Sequence, residues 1–579
     1  LGISILLAPG VNIARVPVNG RNFEYFGEDP YLTKIMALSY VKGVQSKGVG
    51  VSVKHFACNN SEYDRHKSNS VVDERTLREI YFPPFKACVE GGAVGVMTSY
   101  NQINGEYASE HSYLLSQVLR KEWAFKYMVI SDWDSLYSKD RSLAHGVDIE
   151  MPKRKYFPPV DTILTKEQRG QIDEKVLHIL NTLDVLGVYK RDLIDKRREI
   201  KTKAHELVAL HIAEESLVLL KNEEVLPLIP RKMKNIAVIG RFATKEPTGG
   251  GGSSFIKQSY PGVSIAKELK DSYPNCNVSS FGSRWYKNWE SSQFVSSCDA
   301  VIVSVGFNHV DESEAYDRSW RLSNRDIQDI THASKMNSHT IVILHSGGAV
   351  EMPSWHHLPK AIIYSGYLGS YSAKAIKGLV FGEFSPSGRL PFTIAEKLED
   401  YVSMQGYPKD FDKISYKRVA VGQGKPNVRS VMDIHYHEKL MVGYRQFDTL
   451  GPDPLYPFGF GLSYAEFTYE GLKVQKESNT FIVSLSVTNS SNRVAGEVVQ
   501  LYVRPKVSNC DSPFQQLKGF TRVLLKAKEK KEVVFTLGEE DFSYYEVQTS
   551  SWTVSKEPHT ICIASSSRNV RLESEEVSM

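Results

Sequence analysis

The first 150 residues alternate short apolar runs with amphipathic stretches, and this constrains the fold more than any other feature of the chain. The apolar runs cover 3–8, 51–56, 94–100, 127–131 and 146–151, and helical patterns lie between them over 31–47, 74–90 and 113–123. Parallel strands need a long crossover, usually a helix, so this alternation means a parallel sheet covered by helices. Polar residues follow the runs: Asn12, then Lys54 and His55, then Tyr100 and Asn101, then Asp132 and Trp133. In a β/α barrel, that end of the strands is the active-site face. Five such strands are found where a closed barrel needs about eight. The expectation is an α/β multidomain protein that begins with an incomplete (β/α)8 barrel over 1–195. The chain starts at Leu1, inside an apolar run and without an initiator Met, so an N-terminally truncated sequence is expected, with the missing strands before Leu1.

A charged helical stretch over 161–203 connects to a second α/β region over 213–400. Its expected strands are 235–239, 300–305, 340–345 and 361–365. Residues 401–462 are rich in Tyr, Pro and Gly and poorly periodic, and are read as an extended linker. Over 463–575 short runs such as 481–487, 498–503, 531–537 and 552–554 alternate apolar and polar residues without helices, the pattern of a β-sandwich. A length of 579 residues supports this number of domains. A formal net charge of +4 is too mild to point to nucleic acid or an anionic membrane as partner. No run approaches the ~20 apolar residues of a membrane span. Cys58, Cys88, Cys276, Cys298, Cys510 and Cys562 are widely spaced and are read as buried free thiols. Sequons at Asn59, Asn277 and Asn489 are read as chance occurrences.

Four constellations bear chemistry. Asp132 ends an apolar strand, where a carboxylate is held rigidly; the same position also suits a helix N-cap. Lys54 and His55 can donate to hydroxyls and favour ionisation of a nearby carboxylate; a salt bridge and a core histidine are the plainer alternative. Arg21 lies in a crowded loop after the first strand, and Arg65 follows Lys54 and His55. The segment 305–323 holds Asp311, Glu312, Glu314, Asp317 and Arg318. A carboxyl group among acidic neighbours can keep its proton near neutral pH, although a solvated acidic loop would look the same. The turn Gly249–Ser254 follows a strand, as phosphate-binding turns do, but lacks both the G-x-G-x-x-G spacing and a P-loop Lys.

Collinear motifs carry a resemblance. They run LLAPGVNIARVPVNGRNFEYFGEDP, KHFACNNSEYDR, ERTLREIYFPPFKACV, VMTSYNQINGE, MVISDWDS, SLVLLKNEEVLPL, GGGGSS, SEAYDR, FSPSGRLPFTI, VGYRQFD and PLYPFGFGLSYAEFTY, and end with QLKGF. In this order they resemble glycoside hydrolase family 3, the β-glucosidase and β-xylosidase family. The resemblance implies a barrel, then an α/β sandwich domain, then a fibronectin type III-like domain. It implies an exo-acting retaining β-glycosidase, most simply a β-glucosidase; a β-xylosidase and a non-catalytic carbohydrate-binding relative stand as alternatives. Asp132 matches the nucleophile and Glu314 the acid/base, with Glu312 as fallback. Arg21, Lys54, His55, Arg65, Tyr100, Trp133 and Ser253 match residues that bind the sugar. The implied partner is a β-linked oligosaccharide or glycoside, with no metal or organic cofactor. A secreted or periplasmic location is implied by the family alone, and a homodimer stands beside a monomer. The chain departs from the family pattern at several places. An Asp that binds terminal hydroxyls would lie before Leu1. The glycines flanking the acid/base are Ser313 and Ala315. The usual Arg-Trp before G-R-N reads Pro17-Val18-Asn19, P-G-Q-E-G reads SGYLGS, and a family glycine is Lys439.

Overall fold

The computed structural model describes residues 2–159, 161–190, 192, 194, 199, 201–256, 263–413, 431–507 and 512–579. Strands β1 (Ile5–Leu6), β2 (Gly50–Phe56), β3 (Gly95–Thr98) and β4 (Met128–Ile130) form one parallel sheet in consecutive order. Every residue of β2 is buried, as expected for a parallel strand covered on both faces. The helix Pro30–Gln45 crosses from β1 to β2; Asp29 caps it by accepting from Leu32 N at 2.8 Å, and Pro30 supplies a preset first turn. The fifth expected strand, 146–151, is not a strand. It contributes one bridge, Ile149 to Ile130, and opens on Gly146 at φ +101°, outside the extended backbone of a strand.

The second sheet has six strands: β5 (Val218–Asn222), β6 (Asn235–Ile239), β7 (Asn277–Phe281), β8 (Ala300–Gly306), β9 (Thr340–His345) and β10 (Ala361–Tyr364). Their order is β7-β6-β8-β9-β10-β5, and only β5 runs antiparallel. The sequence pattern missed both edge strands. The run NVSSF of β7 is too polar to read as a strand, and VLLKN of β5 follows the helix Lys203–Ser216 without a break. The third unit packs β11 (Phe467–Glu477), β12 (Thr480–Asn489) and β15 (Lys530–Gly538) against β13 (Ala495–Pro505), β14 (Gln516–Leu525), β16 (His559–Ala564) and β17 (Val570–Glu573). Burial alternates at every residue of β12, and Val483, Leu485 and Val487 meet Val499, Leu501 and Ile563 in its core. The expected strand at 552–554 lies outside this sandwich, in a separate hairpin of Ser543–Glu546 with Ser551–Val554.

Residues 401–462 do more than link. Met432–His435 pairs in parallel with Ser68–Val71, so this segment returns to the first unit. One apolar cluster runs from Val51, Val53 and Phe56 through Val303 and Val342 to Trp355 and Leu390, which fixes the first two units against each other. Cys58, Cys88, Cys276, Cys298 and Cys562 are buried and free; Cys510 lies outside the described residues. Asn59 and Asn489 are buried and hydrogen-bonded, which leaves neither open to a glycan. Among the described residues no helix is long and apolar enough to cross a membrane.

Candidate active site

Asp132 stands two residues beyond β4, at the carboxyl end of the first sheet. It caps no helix; the next one begins at Lys139. Its Oδ1 accepts from Tyr100 Oη at 2.9 Å and from its neighbour Trp133 N at 2.7 Å. Its Oδ2 is buried without a hydrogen-bond partner and lies 3.6 Å from His55 Nε2. Burial raises the Asp132 pKa, and the charges of Arg21 and Arg65 oppose that rise.

Lys54 and His55 lie where the register between β2 and β3 shifts, and a local irregularity of this kind re-aims side chains. Asn12 clasps the His55 backbone from both sides: its Nδ2 donates to His55 O and its Oδ1 accepts from His55 N, each at 2.9 Å. Burial, with Arg21, Lys54 and Arg65 nearby, holds the His55 pKa well below its usual range, so the imidazole facing Asp132 is neutral. Lys54 Nζ lies 3.5 Å from Glu24 Oε2, and Glu24 Oε1 accepts from Arg21 Nε at 2.5 Å. The two terminal nitrogens of Arg21 are buried with no hydrogen-bond partner. The Arg65 guanidinium lies 3.8 Å over the Tyr100 ring, and its Nη1 donates to Glu62 Oε2 at 2.8 Å. Trp133 keeps 36% of its surface exposed at the rim.

Glu314 comes from the second unit, on the loop after β8. Its Oε1 lies 2.8 Å from Arg65 Nη2 and 3.9 Å from Arg21 Nη1, and its Oε2 accepts from Ser253 N at 2.8 Å. These three groups overcome burial and hold its carboxyl well below the usual range. This corrects the expectation of a carboxyl that keeps its proton near neutral pH. The acidic neighbours that prompted that expectation face elsewhere: Asp311 pairs with Arg241 at 2.8 Å, and Glu312 with Arg318 at 2.6 Å. Glu312 also accepts from Gly347 N at 2.7 Å and from Tyr367 of the SGYLGS stretch at 2.5 Å. All the expected residues are thus drawn together: Arg21, Lys54, His55, Arg65, Tyr100, Asp132 and Trp133 from the first unit, and Ser253 and Glu314 from the second.

The glycine-rich turn packs on this loop. Gly251 N donates to Glu312 O at 2.8 Å. Gly252 sits at φ +86°, and a Cβ there would lie 2.3 Å from the Glu314 Cβ. Gly20 is as constrained, because a Cβ on it would lie 2.0 Å from Tyr316 O. Pro17 and Val18 meet the second unit through their backbone: Pro17 O accepts from Arg318 Nη2 at 3.0 Å and Val18 O from Arg318 N at 2.8 Å. Ala315 (φ +79°) and Lys439 (φ +49°) adopt the left-handed backbone that a glycine takes without cost, at two of the three positions where the family pattern has glycine, Ser313 being the third. Sequence reading missed Glu24 and Glu62. Their signal was spacing: each lies three residues from an arginine of the site, Arg21 and Arg65. Among the described residues no group of three or more His, Cys, Asp or Glu side chains is placed to hold a metal.

The glycosyl hydrolase family 3 N terminal domain matches residues 1–182, the family 3 C-terminal domain matches 217–464, and a fibronectin type III-like domain matches 497–567. The chain is 38% identical to thermostable beta-glucosidase B of Acetivibrio thermocellus, over 98% of this chain and 74% of that protein. It is 35% identical to an exo-alpha-(1->6)-L-arabinopyranosidase of Bifidobacterium breve, again over 98% and 74%. Among solved structures it superposes on the Bifidobacterium adolescentis GH3 beta-glucosidase with a TM-score of 0.87 at 33% identity, covering 100% of this chain and 83% of the other. Beta-glucosidase 3B of Thermotoga neapolitana gives 0.85 at 30% identity, covering 100% and 84%. The chain belongs to glycosyl hydrolase family 3.

Proposed function

We propose that the chain removes terminal non-reducing β-D-glucosyl residues by double displacement, with Asp132 as nucleophile and Glu314 as acid/base. Asp132 Oδ2 attacks the anomeric carbon as the glycosidic C–O bond breaks, and the departing oxygen takes a proton from Glu314. The resulting glycosyl ester on Asp132 is cleaved by water, whose proton returns to Glu314 while the Asp132 carboxylate leaves. The observation that carries this reading is the buried Oδ2 of Asp132, which has no hydrogen-bond partner and faces a neutral imidazole, together with the buried terminal nitrogens of Arg21, which also lack hydrogen-bond partners. Sugar hydroxyls supply the hydrogen bonds that Arg21 lacks. Arg21, Arg65 and the Ser253 N–H favour the ionised form of Glu314 that the second step needs. A bound sugar that draws the terminal nitrogens of Arg21 onto its hydroxyls, and covers Glu314 from water, favours the protonated form needed first.

The test is turnover of aryl β-glucoside, followed by trapping with a 2-deoxy-2-fluoro-β-glucoside. Label on the peptide that contains Asp132 supports the reading. A folded protein with no turnover and no label refutes it and leaves the carbohydrate-binding alternative. Aryl β-xyloside and α-L-arabinopyranoside belong in the same assay, the second because of the relative from Bifidobacterium breve.

A further inference from the structure

Glu62 is fully buried on the loop that follows β2, and its carboxylate points at the second unit. Its Oε2 accepts from Arg65 Nη1 at 2.8 Å and from Ala315 N at 2.7 Å, and its Oε1 accepts from Asn59 Nδ2 at 3.2 Å. The return contact is Glu62 N donating to Asp317 Oδ1 at 2.9 Å. The other oxygen of Asp317 accepts from Tyr407 Oη, which also bonds Ser61 Oγ. Two loops from different units are therefore clasped in both directions, each backbone N–H donating to the other loop's carboxylate. The clasp closes on the residue next to Glu314.

Ala315 holds φ +79°, a conformation that strains a non-glycine residue and persists only where its surroundings fix it. The buried Glu62 carboxyl, which accepts from its N–H at 2.7 Å, is such a fixing contact. The same Oε2 orients Arg65, whose other terminal nitrogen holds Glu314. Glu62 thus reaches Glu314 by two routes, through the backbone of the next residue and through a guanidinium.

We infer that Glu62 is a positioning residue for the acid/base Glu314, holding the loop of the second unit at the distance at which proton transfer to the departing oxygen is possible. The inference rests on the reading of Glu314 as acid/base. General acid catalysis decays with small misplacements, because the donor must reach the leaving oxygen in the transition state.

Leaving-group dependence tests this. A phenyl β-glucoside needs a proton on its departing oxygen, whereas a 2,4-dinitrophenyl β-glucoside departs as a stable anion. For Glu62→Gln, kcat/KM on the phenyl substrate is expected to fall about tenfold or more beyond its fall on the dinitrophenyl substrate, part of the 10²–10⁴ that a positioned acid supplies. Azide should accelerate turnover of the dinitrophenyl substrate and yield glucosyl azide, as expected for Glu314→Ala. Equal losses on both substrates in Glu62→Gln, with unequal losses in Glu314→Ala, overturn the inference and leave the acid/base reading intact. Equal losses in Glu314→Ala overturn both. If Glu62→Gln unfolds, Asp317→Ala decides by the same ratio, because it removes the acceptor of the Glu62 N–H without touching Arg65.

Discussion

Arg65 Nη2 lies 2.8 Å from Glu314 Oε1, an ion pair between the first unit and the second with the guanidinium stacked on Tyr100. Tyr100 in turn donates to Asp132. A continuous chain of polar contacts thus links the two carboxylates, and a change at one end is felt at the other.

This ion pair gives the acid stability a defined sign. The Glu314 pKa is lowered on folding, so its ionisation stabilises the folded state above its ordinary value of 4.5, and the contribution is lost as pH falls below that. Glu314→Gln should lower Tm clearly at pH 6, where it leaves two buried arginines less compensated, and less at pH 3.5. Calorimetry at the two pH values checks this; an equal Tm loss at both refutes it.

Tyr100→Phe removes one of two hydrogen bonds to Asp132 Oδ1. A hydrogen bond to a charged group contributes about 1.5–3 kcal/mol, so kcat/KM is expected to fall by roughly 10- to 100-fold. Losing a donor to the ionised form raises the carboxyl pKa further. The acid limb of the kcat/KM profile should therefore move to higher pH, which a pH–rate series measures.

Gly252→Ala places a methyl group 2.3 Å from the Glu314 Cβ, on a backbone at φ +86°. Strain of this kind costs roughly 1–3 kcal/mol, and relieving it moves the loop that carries Glu314. Phenyl β-glucoside turnover should fall about 100-fold or more, the scale of a displaced general acid, while Tm drops only a few degrees. Gly249→Ala, where a Cβ meets nothing, is the control and should behave as the parent.

Glu28 shows the opposite linkage. Burial pushes its carboxyl up to about 7 although Thr393 N, Thr393 Oγ1 and Tyr444 N all donate to it. A raised pKa means that the folded state binds the proton more tightly between about pH 4.5 and 7, so this group's contribution to stability falls as pH rises through that window. Glu28→Gln removes the titration, and its Tm should decline less than that of the parent between pH 5 and pH 8.

The sequence by itself determined the kinds of layer and most of the side chains in the site. Strand–helix alternation and the period-2 runs follow directly from which faces must be buried, so β2, β8, β9 and β12 were legible. The polar residues after the strands were legible for the same reason, because that end of a parallel sheet gathers them. The two edge strands were not, since the polar NVSSF of β7 buries too little apolar surface to leave a pattern and the apolar start of β5 runs straight on from the helix before it. Only the tertiary structure decided the electrostatics. The residues 311–317 read as one acidic cluster along the chain, yet Asp311, Glu312 and Glu314 meet three different arginines, Arg241, Arg318 and Arg65. The protonation of Glu314 depends on the guanidinium groups of Arg21 and Arg65, about 290 and 250 residues away in sequence but 3.9 Å and 2.8 Å away in space, because Coulomb energy follows distance between charges and not order along the chain.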